Sequence, residues 1–101
     1  MVAPVQQEGQ MVIDGIRVPK GYQQLGTLSS AIGLTVPAGA RVALIQAEAQ
    51  IVRWRDDGTN PSATVGMPIA AGDTILYNGD LSAIKFFEAA GGAKLNVSYY
   101  K

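Results

Sequence analysis

The sequence predicts an all-β fold, either an antiparallel β-sandwich or a jelly-roll-like small barrel, with an extended N-terminal arm. Turn signals rich in Gly, Pro, Asn and Asp recur about every eight to twelve residues, with short β-rich segments between them. Two segments, residues 50–55 and 94–101, alternate between apolar and polar positions as half-buried strands do. The length of 101 residues predicts one domain.

The first ten residues are predicted to form the arm, and residues 11–101 the single β-sandwich domain. Residues 1–10 contain Pro4, Gly9 and three Gln without periodicity. They fit an arm that lies across a neighbouring subunit through Val5 and Gln7, or simply a frayed terminus.

A hairpin is predicted at the start of the domain, because Asp14-Gly15 separates two short β-rich runs within residues 11–18. Pro19 and Gly21 are predicted to end it. Residues 22–30 fit either a loop or a short strand pair, and residues 34–36 a strand before a turn at Pro37.

Residues 41–48 are apolar on both faces and predict a central, buried strand, with a helix as the competing interpretation. In the next strand, Trp54 is expected on the core side, with Arg53 and Arg55 on the opposite side. Pro68 predicts an edge strand or a bulge, because proline cannot donate a ladder hydrogen bond.

The C-terminal third predicts three more strands, at residues 74–77, 81–88 and 94–101. Asn78-Gly79-Asp80 and Gly91-Gly92 provide turns between them. In the last strand Leu95, Val97 and Tyr99 are expected to point inward. In the strand before it, Ile84 and Phe86 are expected to share one face and Lys85 and Phe87 the other.

Charge is scarce: charged residues make up 16% of the chain and apolar residues 48%, and the formal net charge is zero. A net charge of zero offers no basic field for nucleic acid or an anionic membrane, so neither is expected as a partner. A surface this poor in charge fits either a face covered by a partner or a small Gly- and Ala-rich domain.

The absence of His and Cys removes the commonest general base, the commonest metal ligand and the thiolate ligands. No catalytic residue, metal or cofactor is therefore predicted, and the protein is expected not to be an enzyme. Asp56, Asp57, Asp73 and Asp80 lie in predicted turns, where Asp usually bonds to its own backbone. A Ca²⁺ site is the alternative for Asp56 and Asp57.

The pair Arg53 and Arg55 admits three interpretations. The arginines could form ion pairs with Asp56, Asp57 or Glu48 around a core Trp54, contact another subunit, or bind a ligand. Arg53, Arg55 and the outward-facing Tyr100 are predicted as interface residues, together with Val5 and Gln7 of the arm.

Several segments resemble small structural proteins of tailed-bacteriophage virions. They are residues 35–41 (TVPAGAR), 52–58 (VRWRDDG), 66–68 (GMP), 71–73 (AGD), 81–86 (LSAIKF) and 95–100 (LNVSYY). The resemblance covers about residues 25–101 and does not extend to the N-terminal part.

The resemblance implies a virion structural protein that decorates or stabilises the capsid, as a head decoration (cement) protein does. The implied partners are the major capsid protein or other virion proteins, and further copies of the chain, with a trimer favoured. The expected location is the virion, after synthesis and assembly in the bacterial cytoplasm.

A carbohydrate- or receptor-binding β-sandwich on the virion surface is the alternative function. A sugar site needs an exposed aromatic ring with polar neighbours. Tyr22, Tyr77 and Tyr100 are the candidates, and the sequence alone does not bring them together.

Overall fold

A computed structural model describes residues 17–101 and shows this part of the chain as all-β, without a helix. No helix that could span a membrane occurs there. The strands are β1 (Pro19–Leu25), β2 (Ile32–Gly33), β3 (Val42–Glu48), β4 (Val52–Arg55), β5 (Met67–Ile69), β6 (Thr74–Tyr77), β7 (Lys85–Glu88) and β8 (Lys94–Tyr100).

The strands form two antiparallel sheets of four strands each, consistent with the predicted β-sandwich. Sheet A has the order β1-β8-β3-β6, and sheet B has the order β2-β7-β4-β5. The first strand therefore pairs with the last, β2 with β7, β3 with β6, and β4 with β5. Two further pairings, β3 with β8 and β4 with β7, complete the sheets.

The core side of sheet A follows from side-chain alternation in its two central strands. In β8 the predicted inward residues Leu95, Val97 and Tyr99 are all buried. In β3 the prediction of a central strand is confirmed, with Ala43 and Ile45 fully buried on the core side. On the opposite face Val42 is buried and Leu44 half-buried, but Gln46 and Glu48 are exposed, so this strand is not enclosed on both sides as its composition predicted.

Sheet B contributes Val52, Ile69 and Phe86 to the same hydrophobic cluster, so one core lies between the two sheets. Ile84 and Phe86, which were predicted to share one face, are both fully buried, so that face is the core side of sheet B. Burial of apolar surface contributes roughly 25 cal/mol of stabilisation for each Å² removed from water, so this shared core is the main source of the fold's stability.

The predicted end of a strand at Pro19 and Gly21 is wrong, because β1 begins at Pro19 and continues through Gly21. Proline is tolerated as the first residue of an edge strand, and a register shift between the two residues absorbs the irregularity. The arm over residues 1–10 and the Asp14-Gly15 turn lie outside the described residues. Arg17 and Val18, the last residues of the predicted hairpin, are not in a strand.

Two other strand predictions are displaced. Residues 34–36 are not a strand; the strand lies just before them, in β2. Strand β7 begins at Lys85 rather than at residue 81. Asp80 holds residues 81–83 in a turn, because its carboxylate accepts a hydrogen bond from Ser82 N at 2.9 Å and its carbonyl accepts one from Ala83 N at 3.0 Å. Pro68 lies in the edge strand β5, as predicted.

The neighbouring residues Phe86 and Phe87 provide a direct test of this burial. We expect Phe86→Ala to lower the free energy of unfolding by about 3–5 kcal/mol, because it empties a fully buried position. Phe87 is half-buried on the other face, so Phe87→Ala should cost less than half as much. Urea denaturation of both variants measures the difference, and equal losses would contradict the assigned faces of β7.

Candidate binding surfaces

The side chain of Arg53 is engaged within the chain. Its Nε donates to the carbonyl of Ala63 at 3.0 Å, and its Nη1 donates to the carbonyl of Gly66 at 3.0 Å. The guanidinium thereby ties the loop that leads into β5 to the neighbouring strand β4. Both of these donors serve the fold, and the predicted interface role of Arg53 stays a prediction.

Arg55 forms a two-pronged ion pair with Asp57, as one of the sequence interpretations predicted. Arg55 Nε donates to Asp57 Oδ1 at 3.0 Å, and Nη2 donates to Oδ2. The hydrogen bond from Arg55 holds the pKa of the Asp57 carboxyl below its usual value. The pair is exposed, so its contribution to stability is small, and the predicted interface role of Arg55 stays a prediction.

Tyr77 connects the core to the loop after β4. Its ring is 8% exposed and meets Trp54 edge to face, with the ring centroids 5.8 Å apart. Its hydroxyl donates to Asp56 Oδ2 at 2.7 Å. Burial, together with this hydrogen bond, raises the pKa of Tyr77 to about 12. Tyr77 is therefore not the exposed sugar platform that the sequence allowed.

The turn glycine Gly79 leaves room for the ring of Tyr77. A Cβ at position 79 would lie 2.6 Å from Tyr77 Cζ, which is closer than side-chain atoms can approach. Glycine is therefore required at position 79 for a second reason besides the predicted turn, because the ring of Tyr77 packs against it.

An open groove of about 570 Å³ lies beside Trp54 at the end of β4. Its apolar wall is formed by Val65 and Met67, which are 50% and 58% exposed, and its rim by Arg55 and Asp57. We call it the Met67 groove. Trp54 is half-buried: it packs against the core and also lines the groove, so it is not the fully enclosed core residue that alternation predicted.

The outer face of sheet A carries two rows of side chains across its four strands. The register aligns Tyr22, Ser98, Leu44 and Leu76 in one row, and Gln24, Asn96, Gln46 and Thr74 in the next. These eight residues and Glu48 define what we call the outer face. A shallow depression of about 190 Å³ lies between Tyr22 and Thr74.

Asn96 is the centre of the hydrogen bonds on this outer face. Its Oδ1 accepts from Tyr22 Oη at 2.7 Å and from Gln24 Nε2 at 2.9 Å. Its Nδ2 donates to Glu48 Oε1 at 2.9 Å and to Gln46 Oε1 at 3.3 Å. One asparagine on β8 therefore orients four side chains from the two neighbouring strands.

Tyr100, predicted as an outward interface residue, is half-buried on the same side of sheet A. It lies beside Val42 in the register, and its hydroxyl is 3.4 Å from Ser98 Oγ. The structure thus brings Tyr22 and Tyr100 to one face, where residues diagonally across a strand pair lie roughly 7–8 Å apart. The other two predicted interface residues, Val5 and Gln7, lie outside the described residues.

The turn carboxylates do not converge. Over residues 17–101, no group of three or more Asp and Glu side chains could hold a metal ion. Asp80 follows the turn chemistry expected from the sequence, because hydrogen bonds from Ser82 lower the pKa of its carboxyl. Asp56 and Asp57, the alternative Ca²⁺ ligands, are instead engaged with Tyr77 and Arg55.

Sequence reasoning did not identify Asn96, Gln24 and Gln46 as a group, although it placed Asn96 on the outward side of β8. The residues lie 22 to 72 positions apart, and only the pairing of β8 with β1 and β3 aligns them. Comparison of the chain with protein-family models, curated proteins and solved structures finds no match.

The role of Arg53 can be tested against its neighbour two positions along the strand. Arg53→Lys should lower the free energy of unfolding by about 1–3 kcal/mol, since a lysine cannot reproduce both bonds to the loop carbonyls. Arg55→Lys should change stability little, because the exposed ion pair contributes little. Thermal unfolding of the two variants measures the difference. An equal loss of stability in both would show that the bonds from Arg53 to the loop before β5 do not stabilise the fold.

Alkaline pH should destabilise the fold through two buried tyrosines. Burial raises the pKa of Tyr99, like that of Tyr77, to about 12, whereas an unfolded tyrosine ionises near pH 10. Above about pH 10 the unfolded chain loses protons that the folded chain keeps, so stability falls until about pH 12. Each tyrosine accounts for roughly 2–3 kcal/mol of this loss.

Urea denaturation between pH 8 and pH 12 measures this dependence. Tyr77→Phe retains the ring but has no ionisable hydroxyl, so the variant should show a shallower decline above pH 10. An identical decline in the variant and the parent protein would show that Tyr77 does not resist ionisation.

Proposed function

We propose that this protein is a structural component of a bacteriophage virion that decorates or stabilises the capsid through self-association and contacts with capsid protein. The resemblance of residues 25–101 to small virion proteins suggests this role. Three structural features, taken in turn below, support it.

The first is the strand order. Pairing the first strand with the last, the second with the seventh, the third with the sixth and the fourth with the fifth gives the arrangement of a long hairpin rolled into two sheets. We infer that the domain is a jelly roll, an architecture of eight strands in two sheets that occurs in viral capsid and lectin domains. Rigid domains of this kind suit assembly into a shell.

The second and decisive feature is the Met67 groove. Met67 and Val65 expose apolar surface at the edge strand β5, where unpaired backbone groups can also accept another chain. Exposed apolar surface rimmed by polar residues is typical of protein interfaces, and methionine and arginine are enriched there. Arg55 and Asp57 supply that rim.

The third feature is the scarcity of charge, which makes burial of surface in an assembly less costly. We propose a second copy of the chain as the occupant of the Met67 groove, in a homotrimer. Capsid protein would then contact the assembled trimer, and Arg55, Tyr100 and the N-terminal arm with Val5 and Gln7 remain proposed contact residues.

Light scattering coupled to size-exclusion chromatography tests self-association. The parent protein should elute with the mass of a trimer and should co-elute with phage capsids stripped of their accessory proteins. Val65→Glu should elute as a folded monomer, because it places a charge in the apolar groove. Ile51→Glu is the matched control, since Ile51 is 41% exposed at the other end of β4.

A parent protein that is monomeric and does not bind capsids would overturn the proposed function. If the trimer persists in Val65→Glu but dissociates in Ile51→Glu, the proposed virion role stands, but the interface between copies lies near Ile51 and not in the Met67 groove.

A further inference from the structure

We propose that the outer face of sheet A is a binding site for a neutral saccharide, with the ring of Tyr22 as the stacking platform. This site is separate from the Met67 groove and does not depend on the virion role. The argument rests on the exposure of one aromatic ring, the order of the polar groups beside it, and the charge of the face.

Tyr22 has the properties of a sugar platform. Its side chain is 65% exposed, more than any other large apolar or aromatic residue in the described part of the chain. An aromatic ring this exposed gains little stabilisation from burial. It is nevertheless held in place, because its hydroxyl donates a hydrogen bond to Asn96. The ring is therefore positioned in advance, so little conformational entropy is lost when a ligand stacks on it.

The polar groups beside Tyr22 are also positioned in advance. Asn96 engages one oxygen or nitrogen of each of Gln24, Gln46 and Glu48. Each of these side chains has a second polar atom, and Thr74, which carries a hydroxyl group, also lines the depression. Amide, carboxylate and hydroxyl groups next to an aromatic ring match the alternating hydroxyl and C–H surfaces of a pyranose.

Charge selects the class of saccharide. The residues that line the depression are all uncharged, and the charged member of the Asn96 hydrogen-bond network is Glu48. Lys94 lies directly opposite Glu48 in the register of β3 and β8, so the two charges offset each other and give the face no net positive charge that would favour an acidic sugar. The depression of about 190 Å³ is smaller than the roughly 300–1,000 Å³ of pockets for drug-sized ligands, and fits a single sugar ring.

The test is a titration of the isotope-labelled full chain, followed by NMR, with glucose, galactose, mannose and N-acetylglucosamine and their short oligomers. At least one neutral sugar should cause saturable shifts at Tyr22, Gln46 and Asn96, with a Kd of about 1 mM for a monosaccharide. Glucuronic and sialic acids, as the acidic probes, should bind no more tightly than the neutral sugars, because no net positive charge lies beside the depression.

Two variants locate the site. Tyr22→Ala should abolish the shifts while the chain stays folded, because the side chain is mostly exposed. Ile51→Ala, which changes an exposed apolar side chain beside sheet B and outside both proposed surfaces, should leave the shifts unchanged. Absence of saturable shifts with every neutral sugar, or binding retained in Tyr22→Ala, would overturn the proposal. A change of solution mass in Tyr22→Ala would also overturn it, by showing that this face contacts another copy.

Discussion

Strand β8 lies between β1 and β3 and is hydrogen-bonded to both over nearly its whole length, and this pairing determines how both sides of sheet A are built. Its odd-numbered residues Leu95, Val97 and Tyr99 enter the core, and its even-numbered residues form the centre of the outer face. Because side chains alternate with a period of two, a slip of one residue would expose the core residues and bury Asn96. The free energy of burial that stabilises the core therefore also fixes the geometry of the outer face.

The two sheets are connected by a second, smaller set of interactions at the end of β4. Trp54 of sheet B meets Tyr77 of sheet A, and Tyr77 in turn holds the loop through Asp56. Arg53 fastens the far end of the same loop to β4. The Met67 groove lies between these two attachments, so its shape depends on contacts that the chain makes with itself. A partner that bound there would meet a surface ordered beforehand.

The all-β class and most strands could be predicted from alternation and turn chemistry, because both are local properties of the sequence. Alternation correctly assigned the inward residues of β8 and correctly grouped Ile84 with Phe86 on one face. It could not predict that Tyr22 and Tyr100 share a face while Tyr77 is buried, since that depends on which strands pair. It also placed Trp54 wholly in the core, because a strand pattern does not reveal that the strand ends beside a groove. The start of β7 was also misplaced, because hydrogen bonds to Asp80 hold residues 81–83 in a turn and the apolar pattern does not show where that turn ends.

The two proposed surfaces lie on different sheets of the domain. The outer face belongs to sheet A and points away from the shared core, whereas the Met67 groove is built on β4, β5 and the loop between them. A copy of the chain bound in the groove alone would not contact Tyr22 or Asn96, whereas a partner that bound at Tyr100 would lie on the same face as the saccharide site. In a trimer, three such sites would be displayed together, and weak binding at each would become strong binding to a surface that carries many copies of the sugar.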